Sequence, residues 1–170
     1  MFLMETERLG LRLLESADIE AIMTFWGNEV VMRYCGGAGS EERELRAVLY
    51  YQNLFLQRGF SVYGVQEKSL NRIIGACGFN PGERTDEAEL IYHFAEAYWG
   101  KGYATEAAKA CIEHLLGVNS INRLIASVDP RNTISASILE KLGFAYEGMK
   151  WHDDLKQEEP SYVMVLKEQL

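Results

Sequence analysis

The sequence is poor in the residues that build disulfide frameworks and metal centres. It contains three cysteines and three histidines in 170 residues. The cysteines are odd in number, widely spaced and set in apolar surroundings, and no histidine stands at ligand spacing from them. We therefore expect Cys35, Cys77 and Cys111 to be free, buried thiols, and we expect no metal site.

Long hydrophobic runs and positive charge are also scarce. No apolar run reaches the ~18 residues that a membrane span requires, and the acidic N-terminal stretch lacks the basic and apolar regions of a signal peptide. The chain has 17 Lys and Arg against 25 Asp and Glu, which gives a formal net charge of −8. This balance argues against nucleic-acid binding and suits a cationic amine as substrate. We expect a cytoplasmic protein with neither a membrane nor a nucleic acid as partner.

The sequence does contain enough apolar residues for one sizeable core. Hydrophobic residues make up 48% of the chain, and no repeat, linker or low-complexity segment divides it, so we expect a single domain over residues 1–170. Alternating and helical spacings of these residues predict the secondary structure. Strands are predicted over residues 8–13, 60–66, 72–79, 89–94, 123–128, 144–152 and 162–166, and helices from residue 16 or 18 to 26 and over residues 41–58, 104–116 and 133–142.

The segment from Tyr98 to Ala107 lies where a strand-like run meets a helical one. Gly100 and Gly102 stand at the predicted start of the helix, where backbone N–H groups lack partners and the helix dipole is positive. Glycines let a ligand approach the backbone closely, and Lys101 adds a mobile positive charge. The segment therefore has the composition of a phosphate-binding loop, although an ordinary turn that caps a core helix uses the same glycines.

Two familiar phosphate-binding loops can be compared with this segment. A Walker A loop requires glycine, and then serine or threonine, at positions where the chain has Ala95 and Gly102. A Rossmann fingerprint fits better, because Gly100 and Gly102 precede a helix and a strand-like run that ends in Asp129. Its third small residue is Thr105, however, and its glycines do not follow the strand directly. Dinucleotide binding is therefore a less favoured alternative.

Residues 99–107 closely resemble the acetyl-coenzyme A loop of the GNAT N-acetyltransferases, in the branch named after the ribosomal-protein acetyltransferases RimJ and RimL. The superfamily pattern is Arg/Gln-x-x-Gly-x-Gly/Ala. Gly102 and Ala104 fit it, and Trp99 stands at the Arg/Gln position, a departure common in this branch. The resemblance continues, in the same order along the chain, through residues 5–9, 26–29, 89–92, 132–135 and 140–144. It covers nearly the whole chain.

The resemblance implies the fold and the mode of cofactor binding. The fold class is α/β (α+β), the GNAT acyl-coenzyme A N-acyltransferase fold, with a central mixed, mostly antiparallel sheet of about seven strands and about four helices. Its fourth and fifth strands, here residues 89–94 and 123–128, are splayed, and pantetheine enters the gap. Also by resemblance, the pantetheine and acetyl end of the cofactor acetyl-coenzyme A contacts the backbone of Tyr92 and Phe94. Its pyrophosphate is bound by the loop of Trp99, Gly100, Lys101, Gly102, Tyr103 and Ala104. Asn132, which also caps the last helix, bonds the cofactor arm. The N–H of Phe94 is expected to stabilise the oxyanion.

The chemistry implied is attack of an amine nitrogen on the acetyl thioester. A base must take a proton from the ammonium form, and Glu89 is the best candidate, with Glu29 and His93 as second and third choices. The tyrosine that many GNAT enzymes use as general acid is replaced here by Leu139. A serine is thought to serve in the RimL-like branch, and it corresponds to Ser135. A capping role in the first helical turn is the alternative for this serine.

The acceptor is expected to be a primary amine, either a protein N-terminus or a small molecule. In the family the first two helices wall one side of the acceptor site, which makes Trp26 and Tyr34 candidate substrate-binding residues, with core packing as the alternative for each. We therefore predict an acetyl-coenzyme A-dependent N-acetyltransferase that is a monomer or a homodimer. A non-catalytic acyl-coenzyme A-binding module is the alternative from another class, and its only indication is the missing tyrosine at position 139.

Overall fold

The computed structural model describes residues 1–166 of the chain. The strands are β1 (Met4–Glu5), β2 (Leu9–Arg12), β3 (Val62–Glu67), β4 (Arg72–Pro81), β5 (Glu87–Phe94), β6 (Arg123–Ser127), β7 (Ala145–His152) and β8 (Gln157–Val165). The helices are α1 (Ile19–Met23), α2 (Glu41–Arg58), α3 (Tyr103–Leu115) and α4 (Thr133–Leu142). All described strands belong to one sheet, in the order β1-β2-β3-β4-β5-β6-β8-β7.

Local capping signals set the ends of α2 and α4. Helix α2 begins after Ser40, whose hydroxyl oxygen accepts a hydrogen bond from the N–H of Arg43, and ends at Gly59, which has a left-handed φ of +77°. Helix α4 is capped by Asn132 and ends at Gly143, with φ of +100°. Both helices have the bounds that the sequence predicts, because these signals act over a few residues.

The helices cover both faces of the sheet. Alternation along β5 buries Ala88, Leu90 and Phe94 in the core shared with α3 and α4, whereas Ile91 packs on the cluster that contains residues of α1. Glu89 and the other odd-numbered residues of β5 therefore face away from α3 and α4. The sheet therefore has one face that packs against α3 and α4, called the cofactor face below, and an opposite face that carries the odd-numbered residues of β5.

Strands β5 and β6 are splayed. They are the only parallel neighbours in the described sheet, and their pairing stops after three residue pairs, from Glu87–Arg123 to Glu89–Ile125. Beyond Glu89, β5 remains paired with β4 alone. The predicted GNAT fold with its splayed strands is confirmed. The dinucleotide-binding alternative, which needs a largely parallel doubly wound sheet, was wrong.

Three elements differ from the prediction. Helix α1 ends at Met23, before the predicted end at residue 26, and the chain continues in turns. The sheet has eight strands rather than about seven, since β1 pairs with β2 but is only two residues long, too short to show alternation. Strand β8 begins at Gln157, before the start of the strand predicted over residues 162–166. The side chain of Gln157 is satisfied within the fold, because its amide donates to the carboxylates of Asp129 and Glu159, both at 2.8 Å.

The cysteines are free thiols, as predicted. Cys77 and Cys111 are buried, and their sulfur atoms are 3.9 Å apart without a bond. The predicted burial of Cys35 was wrong, because it lies in an exposed turn after α1 where the chain enters its glycine-rich link. Among residues 1–166 no three His, Cys, Asp or Glu side chains are grouped to hold a metal ion. In the same range no helix is both long and apolar enough to cross a membrane.

Candidate active site

The N-terminus of α3 offers unpaired backbone donors. Gly102 is its N-cap with φ of +80°, and within residues 1–166 no side chain caps the first turn. The N–H of Glu106 is the first to bond inside the helix, to the carbonyl of Gly102. The N–H groups of residues 103–105 therefore lack helical partners and meet the positive end of the helix dipole. An anion is favoured here, and the exposed Lys101 lies beside it.

Arg8 supports this loop, and sequence analysis gave it no role of its own. Its Nη1 donates to the carbonyl of Lys101 at 2.9 Å, and its Nε donates to a carboxylate oxygen of Glu106 at 2.8 Å. The guanidinium also stacks on the Tyr103 ring, 4.3 Å from the centroid. Arg8 thus fastens the start of β2 to the phosphate-binding loop and adds a positive charge beside it. The only sequence signal was its place in the family-like stretch 5–9.

The backbone of β5 has hydrogen-bonding groups that face the gap between the splayed strands β5 and β6. The N–H of Ala95 bonds to the carbonyl of Ile74 in β4, so alternation turns the N–H groups of Tyr92 and Phe94 toward the gap. The carbonyl of Phe94 accepts a hydrogen bond from the indole N–H of Trp99 at 2.7 Å. Trp99, half exposed, therefore braces the loop against β5 at the position where the superfamily pattern has Arg or Gln.

Three polar side chains meet on the α4 side of the splay. The Asn132 side-chain oxygen accepts from the N–H of Ser135 at 3.1 Å, which confirms its capping role. The Ser135 hydroxyl lies 2.6 Å from the Tyr92 hydroxyl and is 8% exposed. Ser135 therefore points toward β5 rather than to solvent, and burial raises the pKa of Tyr92 to about 12. Leu139, one turn further along α4, is 1% exposed.

Glu89 lines a groove of about 920 Å³ on the opposite face of the sheet. The groove also contains residues of β6, β7 and the β7–β8 turn. Its charged residues are the carboxylates Glu83, Glu87, Glu89, Glu147, Asp153 and Asp154 and the cations Arg84, Arg123 and Lys150. Arg123 bonds both Glu87 and Glu147, and Lys150 bonds Glu83. Glu89 and Asp154 make no ion pair with the described residues, so the groove keeps an excess of negative charge.

The environment of Glu89 suits a base. Burial, helped by the nearby charges of Asp154 and Glu87, raises the pKa of this carboxyl, while His152 and Lys150 act in the opposite direction. A raised pKa brings a carboxylate closer to the value that proton transfer near neutral pH requires. Its role as the base stays a prediction.

The side chain of His93 is poorly placed to act as a base. Its Nδ1 accepts a hydrogen bond from the indole N–H of Trp26 at 3.1 Å, which occupies the lone pair. Burial lowers the pKa of His93 to about 4, because the charged imidazolium is disfavoured there. Glu29, the second choice, is exposed beyond α1 and is not part of the groove lining. The structure therefore favours Glu89 among the three.

The two predicted acceptor-binding aromatics occupy different environments. Trp26 is 4% exposed and packs edge-on against Phe25, so a contact between its ring and an acceptor stays a prediction. Tyr34 is half-buried, and the guanidinium of Arg131 lies 4.6 Å above its ring. Arg131 in turn holds the pKa of Asp129 well below its usual range through hydrogen bonds.

The half-buried His93 predicts a pH-dependent stability. The unfolded chain binds a proton at this side chain below about pH 6.5, whereas the folded protein does so only near pH 4. The free energy of unfolding should therefore fall as the pH drops from about 6.5 to about 4, by up to ~1.4 kcal/mol per pH unit. His93→Asn, which retains an acceptor for Trp26, should lose this part of the slope in urea titrations. Equal slopes for the two proteins over that range would contradict the assignment.

Comparison with known proteins agrees with this architecture. The family model described as an acetyltransferase (GNAT) domain matches residues 8–145. The chain is 31% identical over 149 residues to a Bacillus licheniformis protein named uncharacterized N-acetyltransferase p20, covering 85% of this chain and 83% of that one. A crystal structure of a GNAT-family acetyltransferase from Bacillus anthracis superposes with a TM-score of 0.83 at 28% identity, covering 99% of this chain and 100% of the other.

Two further relatives have named acceptors. The Escherichia coli spermidine N(1)-acetyltransferase is 31% identical over 145 residues, covering 84% of this chain and 76% of that protein. The E. coli [ribosomal protein uS5]-alanine N-acetyltransferase is 31% identical over 99 residues, covering 56% of this chain and 51% of that protein. These matches, together with the splayed sheet and the α3 terminus, show that the chain belongs to the GNAT family and is an N-acetyltransferase.

Proposed function

We propose that this enzyme transfers the acetyl group of acetyl-coenzyme A to a primary amine of a small molecule that carries additional positive charge. The observation that carries the proposal is the groove around Glu89, in which two carboxylates lack ion-pair partners among the described residues. Asp154 is exposed, but Glu89 is half-buried, and a half-buried carboxylate without a partner favours a cationic ligand. The relationship to a spermidine acetyltransferase over most of the chain supports the same class of acceptor.

The cofactor half of the site fits acetyl-coenzyme A. The α3 N-terminus, Lys101 and Arg8 together present backbone donors and two cationic side chains to a pyrophosphate. The outward N–H groups of Tyr92 and Phe94 can bond an amide-bearing arm as an added strand would. The Asn132 side chain lies at the entrance of α4, beside the same gap. Apart from Arg8, these are positions that the sequence resemblance assigns to cofactor binding.

Residues on the two faces of the sheet at β5 would have different catalytic roles. Glu89, on the groove face, would take the proton from the ammonium form of the acceptor, directly or through water. The N–H of Phe94, on the splay, would bond the oxyanion that forms at the acetyl carbonyl. Ser135, on the cofactor face, would donate a hydrogen bond to the sulfur as coenzyme A leaves. In this arrangement the base lies on the groove face of the sheet, and the thiolate leaves on the cofactor face.

Ligand-dependent unfolding and thiol release test the proposal. Acetyl-coenzyme A and coenzyme A should raise the thermal midpoint, since a ligand that binds only the folded state stabilises it, and NAD and ATP should not. Thiol release should then be compared for spermidine, a monoamine of similar length and a peptide with N-terminal alanine. We expect the highest kcat/KM with spermidine. No shift with either coenzyme A species and no thiol release would overturn the proposal.

A protein N-terminus is the second candidate acceptor. The RimJ/RimL branch resemblance and the match to the uS5-alanine acetyltransferase over about half of this chain favour it. Turnover with the peptide but not with spermidine in the same assay would replace the small-molecule acceptor by this one.

A further inference from the structure

The leaving-group side of the site lacks the tyrosine that many GNAT enzymes use, and a different tyrosine reaches it. Position 139 holds a leucine packed in the core at 1% exposure. The Tyr92 hydroxyl instead crosses from β5 to the first turn of α4, where it meets Ser135. Tyr92 lies beyond Glu89, the last residue of β5 that pairs with β6, so this contact stands within the splay.

Ser135 is held through both its backbone and its side chain. Its own N–H is bound by the side-chain oxygen of Asn132 at 3.1 Å, which sets the start of α4. Its hydroxyl oxygen lies 2.6 Å from the Tyr92 hydroxyl, while the Tyr92 hydroxyl is 3.2 Å from the Ser135 carbonyl. The shorter contact is the side-chain pair. Ser135 is buried at 8% exposure, and Tyr92 is half-buried.

We propose that Tyr92 is a positioning residue that acts through Ser135, by donating its phenolic hydrogen to the serine oxygen and directing the serine hydrogen at the departing sulfur. This inference rests on the proposed acetyl transfer. A phenol that stays protonated can donate throughout turnover, and burial holds Tyr92 in that form. The donated bond also polarises the serine hydroxyl, because chains of hydrogen bonds strengthen one another.

The step balances without a net proton loss from either hydroxyl. Glu89 first takes one proton from the ammonium form of the acceptor. The neutral nitrogen then forms its bond to the acetyl carbon and loses its second proton to solvent. The C–S bond then breaks with its electron pair on sulfur. An aliphatic alcohol is a far weaker acid than a thiol, so Ser135 stabilises the thiolate by a hydrogen bond and keeps its proton. The thiolate takes a proton from solvent after release, and Glu89 returns its own proton to solvent.

A double-mutant cycle tests this coupling. Tyr92→Phe, Ser135→Ala and the double variant are compared with the wild type in thiol release, using the best amine of the panel. We expect Tyr92→Phe to lower kcat by about tenfold with the KM for acetyl-coenzyme A unchanged, since it removes one hydrogen bond in a chain that ends on a developing charge. In the Ser135→Ala background the same change should cost nothing further.

The controls separate positioning from structural support. Tyr63→Phe removes another buried phenolic hydroxyl, one that has no hydrogen-bond partner in the described residues, and should leave kcat and KM unchanged. Equal kcat for Tyr92→Phe and wild type, or additive losses of kcat in the double variant, would each overturn the positioning role. A wild type without turnover would overturn both proposals, whereas turnover with an unaffected Tyr92→Phe would overturn this one alone.

Discussion

Replacing Glu89 by glutamine is expected to lower kcat on the order of 10²–10⁴-fold while the protein stays folded. Glutamine keeps the shape of the side chain but cannot accept the proton of the ammonium group. The wild-type rate should fall as the pH drops through the raised pKa of Glu89, because the protonated carboxyl is inactive. The residual rate of Glu89→Gln should lack this acidic limb. Steady-state kinetics of thiol release from pH 5 to 9 measures both effects.

Stability separates the loss of a base from a loss of structure. Burial disfavours the ionised form of Glu89, so above the pKa of the unfolded chain its charge opposes folding. Glu89→Gln should therefore raise the thermal midpoint at pH 7 while it lowers kcat. Glu87→Gln is the matched control, since Glu87 lies two residues earlier on the same face and is neutralised by Arg123 at 3.0 Å. It should lower the midpoint and leave kcat within a few-fold. Wild-type kcat in Glu89→Gln would contradict its role.

Gly102→Val is expected to raise the KM for acetyl-coenzyme A on the order of a hundredfold. Two bonds from the α3 N–H groups to phosphate oxygens, at roughly 1.5 kcal/mol each, account for that factor if the new side chain blocks them. The left-handed φ of +80° adds a strain of ~1–2 kcal/mol for any L side chain, so the free energy of unfolding should fall as well. Kinetics at saturating amine and urea titrations measure the two effects separately.

Gly59→Val provides a matched control for backbone strain. Gly59 ends α2 with φ of +77° and ψ of 5°, and Gly102 has φ of +80° and ψ of 7°. A Cβ at position 59 would meet only a Val118 methyl group at 3.9 Å, away from the phosphate-binding loop. Both variants should lose similar unfolding free energy, and only Gly102→Val should lose affinity for the cofactor. Equal rises in KM would mean that strain, not the blocked helix terminus, is responsible.

The sequence by itself determined the family, the order of most elements and the position of the phosphate-binding loop. These features depend on residues close together in the chain. Ser40 and Asn132 cap helices within three residues of themselves, and Gly102 bonds a residue four positions later. Alternation and helical spacing also predicted the strands that become β5 and β6 and the helix that becomes α3. Local periodicity was insufficient for very short or polar strands such as β1 and the start of β8.

Only the tertiary structure decided which side chains meet. The contacts that define the site join distant residues: Arg8 and Lys101 are 93 positions apart, Trp26 and His93 are 67 apart, and Tyr92 and Ser135 are 43 apart. Spacing along the chain carries no information about such pairs, because they depend on how strands and helices pack. Burial, which determines whether His93 can accept a proton and whether Glu89 holds one more tightly, is likewise a property of the packed structure.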